Sequence, residues 1–293
     1  MNYNGVVLLN KPQGPTSHDM IYEMRRIFST KKVGHTGTLD PLATGVLPIC
    51  VGNATKASDM LLSEKKEYVA EIKFGIQTDT GDITGQVTKN LDVILDENKL
   101  KSTLDGFVGE MMQVPPMYSA KKINGKKLYE LARNGQVVER PPVPVTIFEI
   151  ELLSCNIEEK ICKIRVVCSK GTYIRSLCED IAKSMETVGC MSSLCRTRSG
   201  DFLIHDAYTV EQLRMLAQEG ILSDALIPTP KLFDYKEVIL SQKQSHRFKN
   251  GVFVSHPQIA EGCFYKVFDS EGSFMAVAVC VDGRLRIKKS FLK

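Results

Sequence analysis

No Cys-x-x-Cys pair occurs among the nine cysteines of this chain, and none of its five histidines has a partner at metal-ligand spacing. Neither G-x-G-x-x-G nor G-x-x-x-x-G-K-[ST] is present, so the common glycine loops that cradle nucleotide phosphates are missing. No apolar run approaches the ~18 residues of a membrane span. The opening residues, MNYNGVVLLNKPQG, lack the basic start and apolar core of a secretory leader. These absences argue against zinc, a phosphate-loop nucleotide site, a membrane anchor and an exported, disulfide-stapled fold. Cys162, Cys168, Cys178, Cys190 and Cys195 lie within or beside apolar runs and read as reduced core thiols, which favours the cytoplasm.

What is present suffices for a self-supporting core. At 293 residues, 43% of them hydrophobic, the chain fits one large domain and a small one. A net charge of +4 says little about partners, but its distribution says more. Met117 to Arg140 carries six Lys/Arg against Glu130 and Glu139, and Lys236 to Lys293 carries ten basic residues against five acidic ones. Two basic patches on a slightly acidic body suit a polyanion-binding surface.

The patterning predicts a mixed α/β body. GVVLLN is a short buried strand, and Thr16 with Asp19 makes a capping pattern ahead of Met20, Ile21, Met24, Ile27 and Phe28 on one helical face. ATKASDMLL reads as a short helix, KEYVAEIKFG as a strand with Tyr68, Ala70, Ile72 and Phe74 on one face, and TDTGDITG as an acidic turn. Leu100, Leu104, Phe107 and Val108 suggest a second helix. Pro115-Pro116 and Pro141-Pro142 bracket an excursion with a hairpin signal at Asn124-Gly125 and a short helix over Leu128 to Asn134, closed by Gly135. VTIFEIELL and ICKIRVVCS are strands. GTYIRSLCEDIAKSM is an amphipathic helix with a buried stripe of Tyr173, Ile174, Leu177, Ile181 and Met185, leaving Arg175 off that stripe in the first turn. A cation there opposes the helix dipole, so a nearby acid is its natural partner. ALIPTPKLFDY connects this body to a tail of short apolar runs and turns, mostly β.

The segment KKVGHTGTLDPLATGVLPICVGNATK holds one carboxylate, Asp40. Its glycines permit tight turns and Pro41 fixes the backbone after the acid. A lone carboxylate so held is a nucleophile, a general base or a turn cap. An aspartyl-phosphate D-x-D-x-T motif does not fit, because Leu42 takes the place of the second acid.

GHTGTLDPLATGVL resembles the catalytic motif of the TruB family, bacterial tRNA pseudouridine synthases that act on the T-loop uridine at tRNA position 55. In the family's order follow NKPQGPTSHD, KEYVAEIKFGIQTDTGD, VPPMYSAKKINGKKLYELAR, CSKGTYIRSL and LCRTRSGDF. The tail resembles, more weakly, a PUA RNA-binding module. The guide-RNA-dependent branch usually reads LDPKVTG where this chain reads Leu39-Asp40-Pro41-Leu42-Ala43-Thr44-Gly45, so the resemblance implies an enzyme that needs no guide RNA and no obligate protein partner.

The resemblance implies a largely antiparallel central sheet with a catalytic domain over 1–232, an RNA-gripping insertion at 113–142 and a PUA-like domain at 233–293. It implies tRNA, through its T-stem loop, as partner, with no cofactor and no metal. Asp40 matches the essential acid, Arg175 the arginine that pairs with it, and Tyr68 the tyrosine on which uracil stacks. An adjacent guanidinium is expected to lower the acid's pKa. Leu194 matches the apolar wall of the pocket, and His35 the histidine that fills space left by flipped nucleotides. Lys11, with Pro12, resembles the motif that supports the catalytic loop. Asp79 lies near the site by analogy, and Lys121 and Lys122 belong to the insertion, where lysines are expected on phosphates.

Overall fold

The computed structural model describes residues 3–62, 65–119, 121–123 and 125–292, without the side chains of Lys122, Lys127 and Arg133. β1 (Gly5–Lys11) is an apolar run covered on both faces. Val7 and Leu9 enter the main core, while Val6 and Leu8 enter a smaller cluster behind it. Thr16 caps α1 (Ser17–Ile27). The Asp19 N–H donates to the Thr16 hydroxyl, and the Thr16 N–H donates to the Asp19 carboxylate. The predicted face of α1 is the buried one, carrying Met20, Ile21 and Met24, with Phe28 just beyond its end.

β2 (Val33–His35) and β3 (Thr44–Val51) bracket the Asp40 loop. The helix expected over ATKASDMLL is a single 3-10 stretch, Gly52–Ala57, followed by turns. Thr55 donates its hydroxyl to the Gly52 carbonyl, a local bond that competes with helix propagation. β4 (Lys65–Phe74) buries Tyr68, Ala70, Ile72 and Phe74 as its alternation predicts. β5 (Ile76–Thr78) and β6 (Val87–Asn90) pair around the acidic turn. α2 (Glu97–Asp105) stops at its C-cap Gly106. Val108, expected on the helix's apolar face, therefore lies outside it and is 52% exposed.

β7 (Gly109–Gln113) leads into the excursion, which contains β8 (Lys122–Ile123), β9 (Lys126–Lys127) and α3 (Leu128–Arg133). β8 and β9 are antiparallel partners across the predicted hairpin turn, of which Asn124 lies outside the described residues. β10 (Val143–Asn156) and β11 (Ile161–Ser169) follow, and Cys162, Ile164, Val166 and Cys168 are all fully buried on one face. α4 (Ile174–Ser184), β12 (Gly189–Ser199), β13 (Phe202–Leu203), α5 (Val210–Gln218) and β14 (Ile227–Pro228) complete the body.

One sheet organises all of this, in the order β14-β1-β3-β12-β4-β11-β10-β7, with β2 added to β3 and β13 to β12. Among these pairings only β3 with β12 is parallel. The sheet is largely antiparallel, as expected, and α1, α2, α4 and α5 cover the face that holds the main core. A second sheet follows, built from β15 (Lys236–Ile239), β16 (Val254–Ser255), β17 (Phe264–Phe268), β18 (Phe274–Val281) and β19 (Arg284–Ser290) in the order β15-β17-β18-β19-β16. With α6 (Gln242–Lys249) it encloses its own core of Val238, Leu240, Phe248, Val267 and Met275. It docks on the body through Phe233, Val277 and Phe291 against Ala57, and through Lys289 to Asp59 at 2.9 Å.

All nine cysteines are free thiols. Cys162, Cys168, Cys178 and Cys190 are buried as expected, whereas Cys195 is only half-buried, on the part of β12 that borders the Asp40 loop.

Candidate active site

Asp40 stands on a loop that is fastened at nearly every residue. Leu39, Leu42 and Ala43 are buried around it. The Ser17 hydroxyl donates to the Leu39 carbonyl and accepts from the Leu39 N–H. Lys11 is fully buried, and its ammonium donates to the carbonyls of Ala43 (2.7 Å), Pro12 (2.9 Å) and Pro41 (3.4 Å). Burial pushes the Lys11 pKa down to about 8, while Asp40 pulls it upward. Lys11 thus supports the loop from beneath and does not line the cavity as a ligand for substrate.

Gly45 closes the loop against β12. Its φ is +103°, and a Cβ there would lie 2.2 Å from the Arg196 carbonyl oxygen. The approach allows Thr44 and Gly45 to pair in parallel with Cys195 and Arg196. Arg196 is itself fully buried; it donates from Nε to the Val46 carbonyl and from Nη2 to the Gly37 carbonyl, so it braces both arms of the loop.

The acid's partner comes from α4. Arg175 Nη2 lies 3.0 Å from Asp40 Oδ2, and the two side chains are 6% and 38% exposed. The buried guanidinium is already committed elsewhere: Nη2 donates to the Tyr118 carbonyl and Nη1 to the Thr80 carbonyl. The more open carboxylate is therefore the member of the pair with a free face. Burial pushes the Asp40 pKa above the usual aspartate value; Arg175 pulls it down, Asp82 pushes it up, and Lys11 pulls it down. The net direction is upward, opposite to the lowering expected from the guanidinium alone, because desolvation outweighs the pair.

Two hollows meet at this pair. The smaller, about 250 Å³, is lined by Tyr68, Leu194, Tyr173 and Lys66 beside Asp40 and Arg175. The larger, about 600 Å³, is lined on the other side of Asp40 by His18, His35, Thr80, Asp82, Tyr118 and Tyr129. Tyr68 is 7% exposed, and burial raises the pKa of its phenol, which Arg196 opposes. His35 is half-buried, and burial with the neighbouring Arg196 and His18 charges holds its pKa down, favouring the neutral ring.

The geometry brings together Asp40, Arg175, Tyr68, Leu194 and His35 from the sequence-derived set. Asp79 is not among them. It is exposed, and its carboxylate accepts the Gln86 N–H within its own turn. The acid that reaches the guanidinium is Asp82, 6% exposed and 3.9 Å from Arg175 Nη1, held by the hydroxyls of Thr80 and Thr84. Lys121 is half-buried on the insertion and lines neither hollow; the Lys122 side chain lies outside the described residues. Tyr173, expected on the buried stripe of α4, is its N-cap and is half-buried at the smaller hollow. Arg175, expected off that stripe, is buried because the acidic turn and the root of the insertion cover the start of the helix.

Known proteins resemble this chain along its whole length. A model of the TruB family pseudouridylate synthase N-terminal domain matches residues 25–174, and one of the tRNA pseudouridylate synthase B C-terminal domain matches 175–233. A tRNA pseudouridine synthase B of Caldanaerobacter subterraneus subsp. tengcongensis is 42% identical over 292 residues, covering 99% of this chain and 100% of the relative. A second, from Francisella tularensis subsp. tularensis, is 42% identical and covers 99% and 96% of the two chains. Among solved structures, a chain from a Cbf5-Nop10-Gar1 complex superposes with a TM-score of 0.71 at 26% identity, covering 98% of this chain and 85% of that one. Two domain models end to end and full-length relatives at this identity place the chain in the TruB family of pseudouridylate synthases, which are isomerases.

Proposed function

We propose that this chain converts uridine to pseudouridine at position 55 in the T-loop of tRNA, alone and in the cytoplasm, with Asp40 as its catalytic aspartate. The names of the full-length relatives specify tRNA, and the Leu39 to Gly45 motif favours the stand-alone branch over the guided one. The observation that carries the reading is the Asp40–Arg175 pair at 3.0 Å, set where a hollow of about 250 Å³ meets a larger one. That volume falls below the roughly 300–1,000 Å³ of sites for drug-sized ligands, and it suits a single extruded base. Tyr68 offers the uracil a stacking face, a contribution on the order of 1–3 kcal/mol, and Leu194 closes the apolar side. His35 lines the larger hollow, which supports reading it as the residue that fills the space left by the extruded nucleotide.

The reaction breaks the bond from ribose C1′ to uracil N1 and joins C1′ to C5. The proton on C5 leaves to solvent and N1 gains one, so product and substrate are isomers. Asp40 begins the sequence as a carboxylate, whether it attacks C1′, adds to the ring or removes a ribose proton. Arg175 fixes which oxygen faces the hollow. Residues 1–232 act as the catalytic domain, the insertion at 113–142 grips the T-stem, and the PUA-like domain at 233–293 adds RNA contacts.

Release of tritium from carbon-5-labelled uridine in an unmodified tRNA transcript tests this directly. Wild-type protein is expected to release label from the T-loop uridine, and Asp40→Asn to release none while still binding the transcript. Turnover by Asp40→Asn at the wild-type rate would overturn the assignment.

A further inference from the structure

α4 carries Arg175 in its first turn, yet the residue that begins the helix cannot cap it. Tyr173 is the N-cap and its side chain makes no capping bond. Ordinary helix starts use Ser, Thr, Asp or Asn there, often with a residue three positions on that bonds back to the N-cap N–H. In α4 that third residue is Ser176, whose hydroxyl is turned outward to the Val114 carbonyl at 3.1 Å.

The missing return bond comes from another part of the chain. Gln113 is 1% exposed, and its side-chain oxygen accepts the Tyr173 N–H at 2.8 Å. Its amide nitrogen donates to the Tyr173 carbonyl at 3.0 Å. Both hydrogen-bonding groups of one peptide residue are thus held by one buried amide. Gln113 is also the last residue of β7, and its cross-strand partner is Val143, the first of β10. The insertion therefore leaves and re-enters the sheet at one point, and Gln113 stands at that point. Beyond it, the Arg175 guanidinium takes the Tyr118 carbonyl, and Arg140 on the returning arm takes the Pro115 carbonyl.

We propose that Gln113 is a positioning residue that sets the first turn of α4 from the root of the insertion and so seats Arg175 against Asp40. The inference rests on the reading of Asp40 and Arg175 given above. Through this joint, the position of the insertion and the geometry of the acid are linked: a shift at 113–114 moves the Tyr173 peptide groups and the Ser176 hydroxyl, on either side of Arg175.

Single-turnover pseudouridine formation on the tRNA transcript, measured against pH for wild type, Gln113→Met, Gln113→Glu and Arg175→Ala, tests this. Methionine keeps the length of the side chain and removes both bonds; glutamate keeps the acceptor for the Tyr173 N–H. Gln113→Met is expected to lose roughly tenfold or more in rate, since misplacement by about 1 Å costs up to 10²-fold, with transcript affinity within about twofold of wild type. Its acid limb should move to higher pH, because of the charges that face Asp40, namely Arg175, Asp82 and Lys11, only Arg175 is released by the change. Gln113→Glu, which keeps one of the two bonds and sets an acceptor against the Tyr173 carbonyl, should recover part of the rate. Loss of rate that only tracks the folded fraction, with the limb unmoved, would overturn the proposal, as would a wild-type rate and limb in Gln113→Met. Wild-type turnover by Arg175→Ala would remove the reading beneath it, whatever the Gln113 variants do.

Discussion

In the proposed reaction Asp40 carries charge in a place that resists charge. Its surroundings withdraw water, and its partner guanidinium is shared with two carbonyls and with Asp82. Because burial raises its folded-state pKa above the unfolded value near 3.8, the cost of ionising it is absent below pH 3.8 and complete only above the folded-state value. Asp40→Asn should therefore stabilise the protein at neutral pH, and the gain should shrink as pH falls toward 3.8; urea midpoints across that range check it. The activity of wild type should correspondingly fall with acid at a pH above the ordinary aspartate value, as initial rates would report. Asp40 itself was legible in the sequence, as the one acid in a loop of glycine, threonine and proline. Asp82, Arg196 and the burial of Lys11 were not. A charged residue in a turn or strand pattern reads as solvated, and only the fold reveals that Lys11 meets three carbonyls and that Arg196 meets two.

Between residue and fold lies the packing of the loop against β12. Gly45→Ala would drive a methyl into the Arg196 carbonyl from a backbone angle that L side chains avoid. The expected cost is roughly 3 kcal/mol or more, with activity lost beyond what unfolding explains, since the strand pairing that places Asp40 is disturbed. Ile164→Ala makes the contrast. It empties a fully buried site in the main core and should cost about 2–5 kcal/mol, while the surviving folded protein keeps its turnover; urea titration with active-site counting separates the two. Periodicity gave away such core strands, β4 and β11 above all, because alternation maps directly onto a half-covered sheet. Element ends were harder to read. Gly106 stops α2 before Phe107 and Val108, and Thr55 favours a 3-10 stretch, the first through backbone bonds and the second through its hydroxyl, and hydrophobic spacing encodes neither.

The molecule as a whole pairs a body that carries Asp40 with two basic regions, Met117 to Arg140 and Lys236 to Lys293, which in the proposed function contact the RNA. If the insertion lysines sit on phosphates, Lys121→Ala or Lys126→Ala should weaken tRNA binding without changing which uridine is modified. Each should also flatten the dependence of log affinity on log salt by about 0.7–1, a slope that filter binding at several salt concentrations measures. An unchanged slope would place those lysines off the RNA. The division into body and β-rich tail was visible from the proline-rich connector, but its tightness was not. Residues 227–228 of that connector join the main sheet as β14, and Leu232 and Phe233 pack into the clusters beside it.

The neighbouring sheet positions of Gln113 and Val143 make the arm between them a cassette. Its two ends meet, so an arm of another length would join the same two strands. If the arm grips the RNA as proposed, exchanging it alone redirects the same pocket to a different RNA, provided the new arm keeps an amide at its root.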